Sequence, residues 1–221
     1  MLFKNFIKKF LNSNLLKKKI IIVSGGRSVK KTFQFISSLR NIDWRNINFY
    51  LLDERITNNL SLKNYSLIKK IFKNKSNIRQ LDTSTTRKNN INKIIKRIRL
   101  LKTLTILGLG DDGHFASIFF NSEKYKKLID KKLKPNILTL KKIGHPLLKR
   151  YTMNLSMILL SHKIIIVLNT KNKIKLLLQF MKEKNKYSYP INHLILHGKK
   201  KILILTNKKL LTVHKFNKIY E

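Results

Sequence analysis

A stretch from Ile106 to Phe119, ILGLGDDGHFASIF, sets two aspartates and a histidine among three glycines directly behind an apolar run. Asp112 and His114 are close enough in the chain to share a site, and an imidazole oriented by its neighbours can act as a general base near neutral pH. Two other stretches place polar chemistry after apolar runs. Gly25-Gly26-Arg27-Ser28 follows KKIIIV, and Asp53-Glu54-Arg55 ends INFYLL. Gly-Gly permits a tight turn with close backbone approach, and Ser28 can cap the helix that follows. Free N–H groups at that helix start favour an anion, and Arg27 adds a fork of donors for phosphate. The spacing is neither GxGxxG nor a Walker loop, so no nucleotide is implied. From the residues alone, a plain turn explains the first of these stretches as well as a site does, and a salt bridge the second. A metal held by Asp111, Asp112 and His114 is the rival for the third, but no second cluster of histidine or acid supplies the remaining ligands. His145, His162, His193, His197 and His214 have no such context.

The elements that must position these residues alternate. KKIIIV, INFYLLDER, TLTILGLG and KKKILILTN read as strands, and SMILLSHKIIIVLN holds a helix end and a further strand, five strands in all. RSVKKTFQFISSL, with Val29, Phe33 and Ile36 at helical spacing, reads as a helix, as do SLKNYSLIKKIF and NINKIIKRIRLL. EKYKKLIDKKLKP reads as a charged surface segment. Strands alternating with helices predict an α/β fold, a mainly parallel doubly wound sheet flanked by helices and Rossmann-like. Ligands of such sheets lie beyond the carboxyl ends of the strands, so the three chemistry-bearing strand ends could meet in one cleft.

The chain has 221 residues, 43% of them hydrophobic, enough to bury the core of a single domain spanning 1–221. The absence of cysteine excludes disulfides, thiolate metal sites and thiol nucleophiles, and fits a reducing cytoplasm. The opening MLFKNFIKKFLNSNLLKKK is broken by lysines and reads as a short amphipathic helix rather than a signal peptide. No segment reaches the ~20 apolar residues of a bilayer span, so a soluble cytoplasmic protein without membrane partners is expected. The net charge of +39 invites a nucleic-acid reading. The lysines, however, are spread along the whole chain and travel with asparagine and isoleucine, as nucleotide bias would produce, and no recognition motif accompanies them. No specific nucleic-acid partner is expected.

GLGDDGHFASIF, from Gly108 to Phe119, resembles the G-x-G-x-D-G-H-x-A-S-[IL]-F signature of the 6-phosphogluconolactonase family. Ser24 to Ser28 is similar to that family's SGG-[SR]-[ST] loop, and Asp53 to Arg55 to its second motif. Asn64, Arg150-Tyr151-Thr152 and Pro190 fall where the family has an asparagine, an R-x-T and a late proline. The matches keep family order from Ile20 to about residue 197. Val29, Lys63 and Phe120 depart from the usual proline, serine and proline, and Thr170 stands in place of a glycine ahead of Lys173. The segment before Ile20 has room for one helix but not for the family's opening strand. Glucosamine-6-phosphate deaminase shares the fold and a similar G-x-G-x-x-G-H element, but it characteristically continues into N-E-P and carries D-E-Y, where this chain has Ala116-Ser117-Ile118-Phe119 and Asp53-Glu54-Arg55.

The resemblance implies hydrolysis of 6-phospho-D-glucono-1,5-lactone, with no metal or organic cofactor. His114 would be the base, Asp53 would orient the lactone's surroundings, and Arg55 would bind substrate or steady charge. Gly25, Gly26, Arg27, Ser28, Asp112, Gly113, Arg150 and Lys173 would complete the substrate site, several of them holding the phosphate. The implied partner is the small sugar-phosphate lactone, met by a monomer or weak homo-oligomer.

Overall fold

The computed structural model describes residues 1–13, 18–73, 75, 77–183 and 188–220, with the side chain of Arg27 outside that description. Ten strands and nine helices lie among the described residues. The strands are β1 (Lys19–Val23), β2 (Ile47–Leu51), β3 (Asp53–Arg55), β4 (Asn77–Arg79), β5 (Lys102–Gly108), β6 (Ile137–Ile143), β7 (Leu148–Met153), β8 (Lys163–Leu168), β9 (Ile202–Thr206) and β10 (Lys209–Thr212). The helices are α1 (Phe3–Asn12), α2 (Arg27–Ser37), α3 (Asn64–Phe72), α4 (Lys88–Leu100), α5 (Tyr125–Ile129), α6 (Leu155–Ile158), α7 (Lys171–Lys182), α8 (Pro190–Gly198) and α9 (Val213–Tyr220).

Seven strands form one sheet in the order β10-β9-β8-β5-β1-β2-β4, parallel except for the β9–β10 pair. Every residue of β1 and β9 is buried, which is why they read as near-continuous Ile, Leu and Val: a parallel strand covered on both faces has no polar side. Counted along the chain, the parallel strands run 3-2-1-4-5-6 across the sheet, so the chain reverses direction between β1 and β5. A crevice opens at such a switch point, outside the strands' carboxyl ends. Four of the five strands expected from the sequence belong to this parallel set, as does the first part of the fifth, INFYLLDER. The helix expected before β1 is α1, with residues 14–17 outside the described set, and the Leu2 backbone bridges Lys209 of β10.

Three expectations need correction. INFYLLDER is not one strand. It breaks at Leu52, whose N–H donates to Val23 O (2.8 Å) while its carbonyl accepts from Met153 N–H (3.0 Å), and Asp53–Arg55 leaves the main sheet to pair antiparallel with β7. A second sheet, β3-β7-β6, therefore stands beside the first. Its β6–β7 hairpin was missed because ILTLKKI and LKRYTM interrupt the apolar alternation with lysine and arginine. The segment 123–135 is not merely charged surface, since it holds α5 and buries Leu128. The buried apolar residues of both sheets and their helices form one contiguous cluster.

Candidate active site

Three loops converge at the switch point. After β1, Ser24 is buried, and its Oγ accepts from Gly108 N–H (3.3 Å) at the end of β5. A Cβ on Gly108 would stand 2.1 Å from Ser28 Oγ, so the β1 and β5 loops are pressed together. Gly26 has φ of +103° and is the residue before α2, an angle that side-chain-bearing residues rarely adopt; nothing would obstruct its Cβ, so conformation alone demands the glycine. Among the described residues no side chain caps the N-terminus of α2, and free N–H groups at a helix start favour an anion. Arg27 opens this helix, and the expectation for its guanidinium lies outside the described side chains.

In the β5 loop the His114 carbonyl accepts from Gly110 N–H (2.7 Å), folding the chain back on itself. Gly110 leaves room for the imidazole, since a Cβ there would stand 2.0 Å from Nδ1. Asp112 Oδ1 is hydrogen-bonded to His114 Nδ1 and also accepts from the His114 backbone N–H (3.2 Å). Burial pushes the Asp112 carboxyl up, but the hydrogen bonds and charge of His114 outweigh it, and the net position is below the usual carboxylate range. The imidazole lies against the Phe119 ring, with centroids 4.2 Å apart, and its side chain is 29% exposed. With Nδ1 committed to Asp112, Nε2 is the nitrogen left to take a proton. Gly113, at φ +79°, abuts Tyr189, and its carbonyl accepts from Ile191 N–H (3.0 Å), which docks α8 onto the loop.

The third contribution is β3. Its alternation sorts the DER motif by face. Asp53 and Arg55 pair in register with Thr152 and Arg150 of β7. Asp53 is 4% exposed; its Oδ2 accepts from Ser117 Oγ (2.7 Å), and its Oδ1 has no partner. Arg55 Nη1 donates to Leu62 O (2.8 Å), while its buried Nε has no partner. Glu54 does something else. Its carboxylate accepts from the N–H groups of Arg55, Asn64 and Tyr65, all at 2.7 Å, and so closes the N-terminus of α3.

Arg150 lies lower than expected for a surface phosphate ligand, at 3% exposure. Nε donates to Ile143 O (2.8 Å), Nη2 to Pro146 O (3.0 Å) and Nη1 to Ser117 Oγ (3.5 Å), and the guanidinium lies over the Phe119 ring. Burial lowers its affinity for the proton, Asp53 and Glu54 oppose that, and Arg55 across the strand pair adds to it. Lys173, in the first turn of α7, reaches Asp111 Oδ1 (2.5 Å) and so joins the histidine loop. Among the described residues no three His, Asp or Glu side chains stand together as a metal site.

Among the expected site residues whose side chains are described, Asp112 pairs with His114, Lys173 reaches Asp111 in the same loop, Asp53 and Arg150 meet at Ser117, and Arg55 reaches Leu62 instead. Three participants were missed. Asn64 was noted only as a motif match, yet its Nδ2 donates to Asp53 O (2.9 Å). Ser117 carried a motif position and no role. Asp111 was weighed only for metal. None had a signal in spacing, because each acts across a fold contact.

A doubly wound sheet with a carboxylate-held histidine in the loop after β5, beside the glycine turn after β1, defines a Rossmann-like α/β protein. The chain belongs to the family described as glucosamine-6-phosphate isomerases/6-phosphogluconolactonase, whose model matches residues 4–204. It is similar to a Dictyostelium discoideum protein named "Probable 6-phosphogluconolactonase", 33% identical over 135 residues, 54% of this chain and 57% of the relative. It is also similar to the 6-phosphogluconolactonase of Helicobacter pylori, 29% identical over 202 residues, 87% of this chain and 86% of the relative. The alignment thus spans little more than half of the Dictyostelium protein but most of the Helicobacter one. In fold it resembles the 6-phosphogluconolactonase of Plasmodium vivax, with TM-score 0.73 and 20% identity over 99% of this chain and 88% of that one. Among the described residues no helix is long and apolar enough to cross a membrane.

Proposed function

We propose that this chain hydrolyses 6-phospho-D-glucono-1,5-lactone to 6-phospho-D-gluconate, the second step of the oxidative pentose phosphate pathway, as one domain in a reducing cytoplasm. The observation that carries the reading is His114, held through Nδ1 by Asp112 in the loop after β5, the strand that lies beside β1 and its Gly25–Ser28 turn. A lactone is an activated ester, so a positioned water, a base and charge stabilisation on the carbonyl oxygen suffice.

In this mechanism Nε2 of His114 takes a proton from water as the water oxygen bonds to the lactone carbonyl carbon. Asp112 holds the ring and stabilises the imidazolium. Arg55 steadies the negative charge on the carbonyl oxygen. The tetrahedral species then collapses, the bond from carbon to ring oxygen breaks, and the imidazolium returns its proton to that oxygen. Asp53, held at Oδ2 by Ser117, orients the lactone's surroundings. Gly25, Gly26, Arg27, Ser28, Gly113 and Lys173 hold the phosphate end, with Arg150 below them. For Arg150 to bind a phosphate oxygen it exchanges its longest contact, the one to Ser117.

The family also contains sugar-phosphate isomerases and deaminases, which supply the second reading; Ala116 through Phe119 and Arg55 favour the lactonase. The deciding experiment is an assay of purified protein on freshly generated lactone, against spontaneous opening without protein. Rates equal to the control, with deaminase turnover of glucosamine 6-phosphate, would reverse the assignment.

A further inference from the structure

Asp53 is buried among charged groups that do not touch its carboxylate. Glu54 and Arg55 follow it on β3, and Arg150, the register partner of Arg55 on β7, stands near enough to feel its charge, yet among the described residues none places a donor on either oxygen. Asn64 donates to the Asp53 backbone carbonyl rather than to the side chain. One described donor serves the carboxylate: the hydroxyl of Ser117, 2.7 Å from Oδ2. A buried carboxylate with a single donor is held by that donor, because each further unmade hydrogen bond leaves an oxygen desolvated.

Ser117 is itself built into place. It is fully buried; its N–H donates to Thr152 Oγ1 (3.4 Å), and its Oγ receives the distant Nη1 of Arg150 (3.5 Å). The residue before it, Ala116, has φ of +52°, a left-handed conformation that a residue with a Cβ adopts only when its surroundings impose it. The backbone of Phe115 bridges that of Ile118 to close this tight turn. The strained residue is the one that turns Ser117 inward from the histidine loop onto β3.

We propose that Ser117 is a positioning residue: by occupying Oδ2 of Asp53 it fixes the rotamer of the carboxylate that orients the lactone's surroundings. The inference rests on the lactonase reading above, and on Asp53 serving in it. It also ties the loop that carries the base to the strand that carries the carboxylate, since Ser117 lies three residues after His114 in the chain.

The test is a double-mutant cycle with Ser117→Ala and Asp53→Asn, read as kcat and KM separately. Ser117→Ala removes one buried oxygen and leaves the fold in place. Its kcat is expected to fall about 10- to 100-fold, the worth of a hydrogen bond to a charged group, with KM near the parent value. The double variant is expected to be no slower than Asp53→Asn, because Ser117 acts only through that carboxylate. Ser117→Thr, which keeps the hydroxyl, is expected to recover most of the rate. Effects that multiply, or a Ser117→Ala protein with parent kcat beside a slow Asp53→Asn, would overturn the role of Ser117 while leaving the lactonase reading standing. Asp53→Asn at the parent rate removes Asp53 from the chemistry and overturns the proposal at its root. A parent protein without lactonase activity condemns the functional reading instead.

Discussion

Asn64 fills the space that a side chain at residue 25 would need: a Cβ on Gly25 would stand 1.8 Å from Asn64 Oδ1 and 2.1 Å from its Cγ. Asn64 cannot step aside, because its N–H is held by Glu54 and its Nδ2 by the carbonyl of Asp53. The anion loop and the carboxylate strand are thereby seated on one asparagine. Gly25→Ala should therefore displace the loop at about 1–3 kcal/mol, the usual range for overpacking, and raise KM for the lactone more than it lowers kcat. Adding Asn64→Ala should return part of the lost binding. Parent KM in Gly25→Ala would show that the loop's seat on Asn64 has no bearing on binding.

His114→Ala should lose about 10²- to 10⁴-fold in kcat with an unchanged circular dichroism spectrum, the range for removing a general base. EDTA should leave the parent rate untouched. Turnover close to normal in the alanine variant, or loss of activity in EDTA that zinc restores, would refute the assignment.

Lys173 meets Asp111 at the rim, where the carboxylate is largely exposed and the ammonium largely covered. A phosphate would replace that carboxylate as the partner of Nζ. Lys173→Met should raise KM for the phosphorylated lactone with little change in kcat, as expected for a contact equal in ground and transition states. Steady-state kinetics on gluconolactone with and without the phosphate read this directly; an equal loss on both substrates would place Lys173 outside the phosphate site.

Glu54 links stability to pH. Burial pushes its carboxyl above the usual range, against three backbone N–H donors and with Asp53 adding a little. The folded state therefore holds this proton more tightly than the unfolded chain. Its contribution to stability is complete below the ordinary glutamate range and is lost as pH rises through the raised value. Glu54→Gln, which cannot titrate, should flatten the dependence of urea midpoints on pH across that range. It also sets an amide N–H₂ near a backbone N–H at the start of α3, which should lower stability by about 1–3 kcal/mol at low pH, where the Glu54 contribution is complete. Equal pH slopes in the two proteins would contradict this account.

The charge of +39 should give weak, sequence-indifferent binding to oligonucleotides that fades as salt rises, since screening extends only ~8 Å at physiological ionic strength. Lactonase turnover should persist through the same titration. Tight binding to one sequence at physiological salt, without lactonase activity, would make the basic surface the function.

The parallel core was legible because burial on both faces leaves a strand no freedom in composition: IIIV, NFYLL, TILG, IIIVL and ILILT announce themselves. The histidine loop was legible because its members are neighbours in the chain, so that Asp112 and His114 meet whatever the rest of the fold does. The β6–β7 hairpin was not legible, because it spends Lys141, Lys142, Lys149 and Arg150 where an apolar alternation would have marked it.

What the sequence determined by itself, then, was local: five buried strands, the helices α1 to α4, and a set of polar strand ends rich in glycine. The tertiary structure alone decided the strand order that opens the crevice between β1 and β5, and the break at Leu52 that lifts Asp53 into a second sheet. It also decided the pairing of Ser117 with Asp53, which are 64 residues apart. Hydrophobic periodicity reports which face of an element is buried; it says nothing of which other element covers that face. Contacts between distant residues are chosen by packing the whole core at once, and the seating of Gly25 on Asn64, the submergence of Arg150 and the partner of Asp53 all belong to that choice.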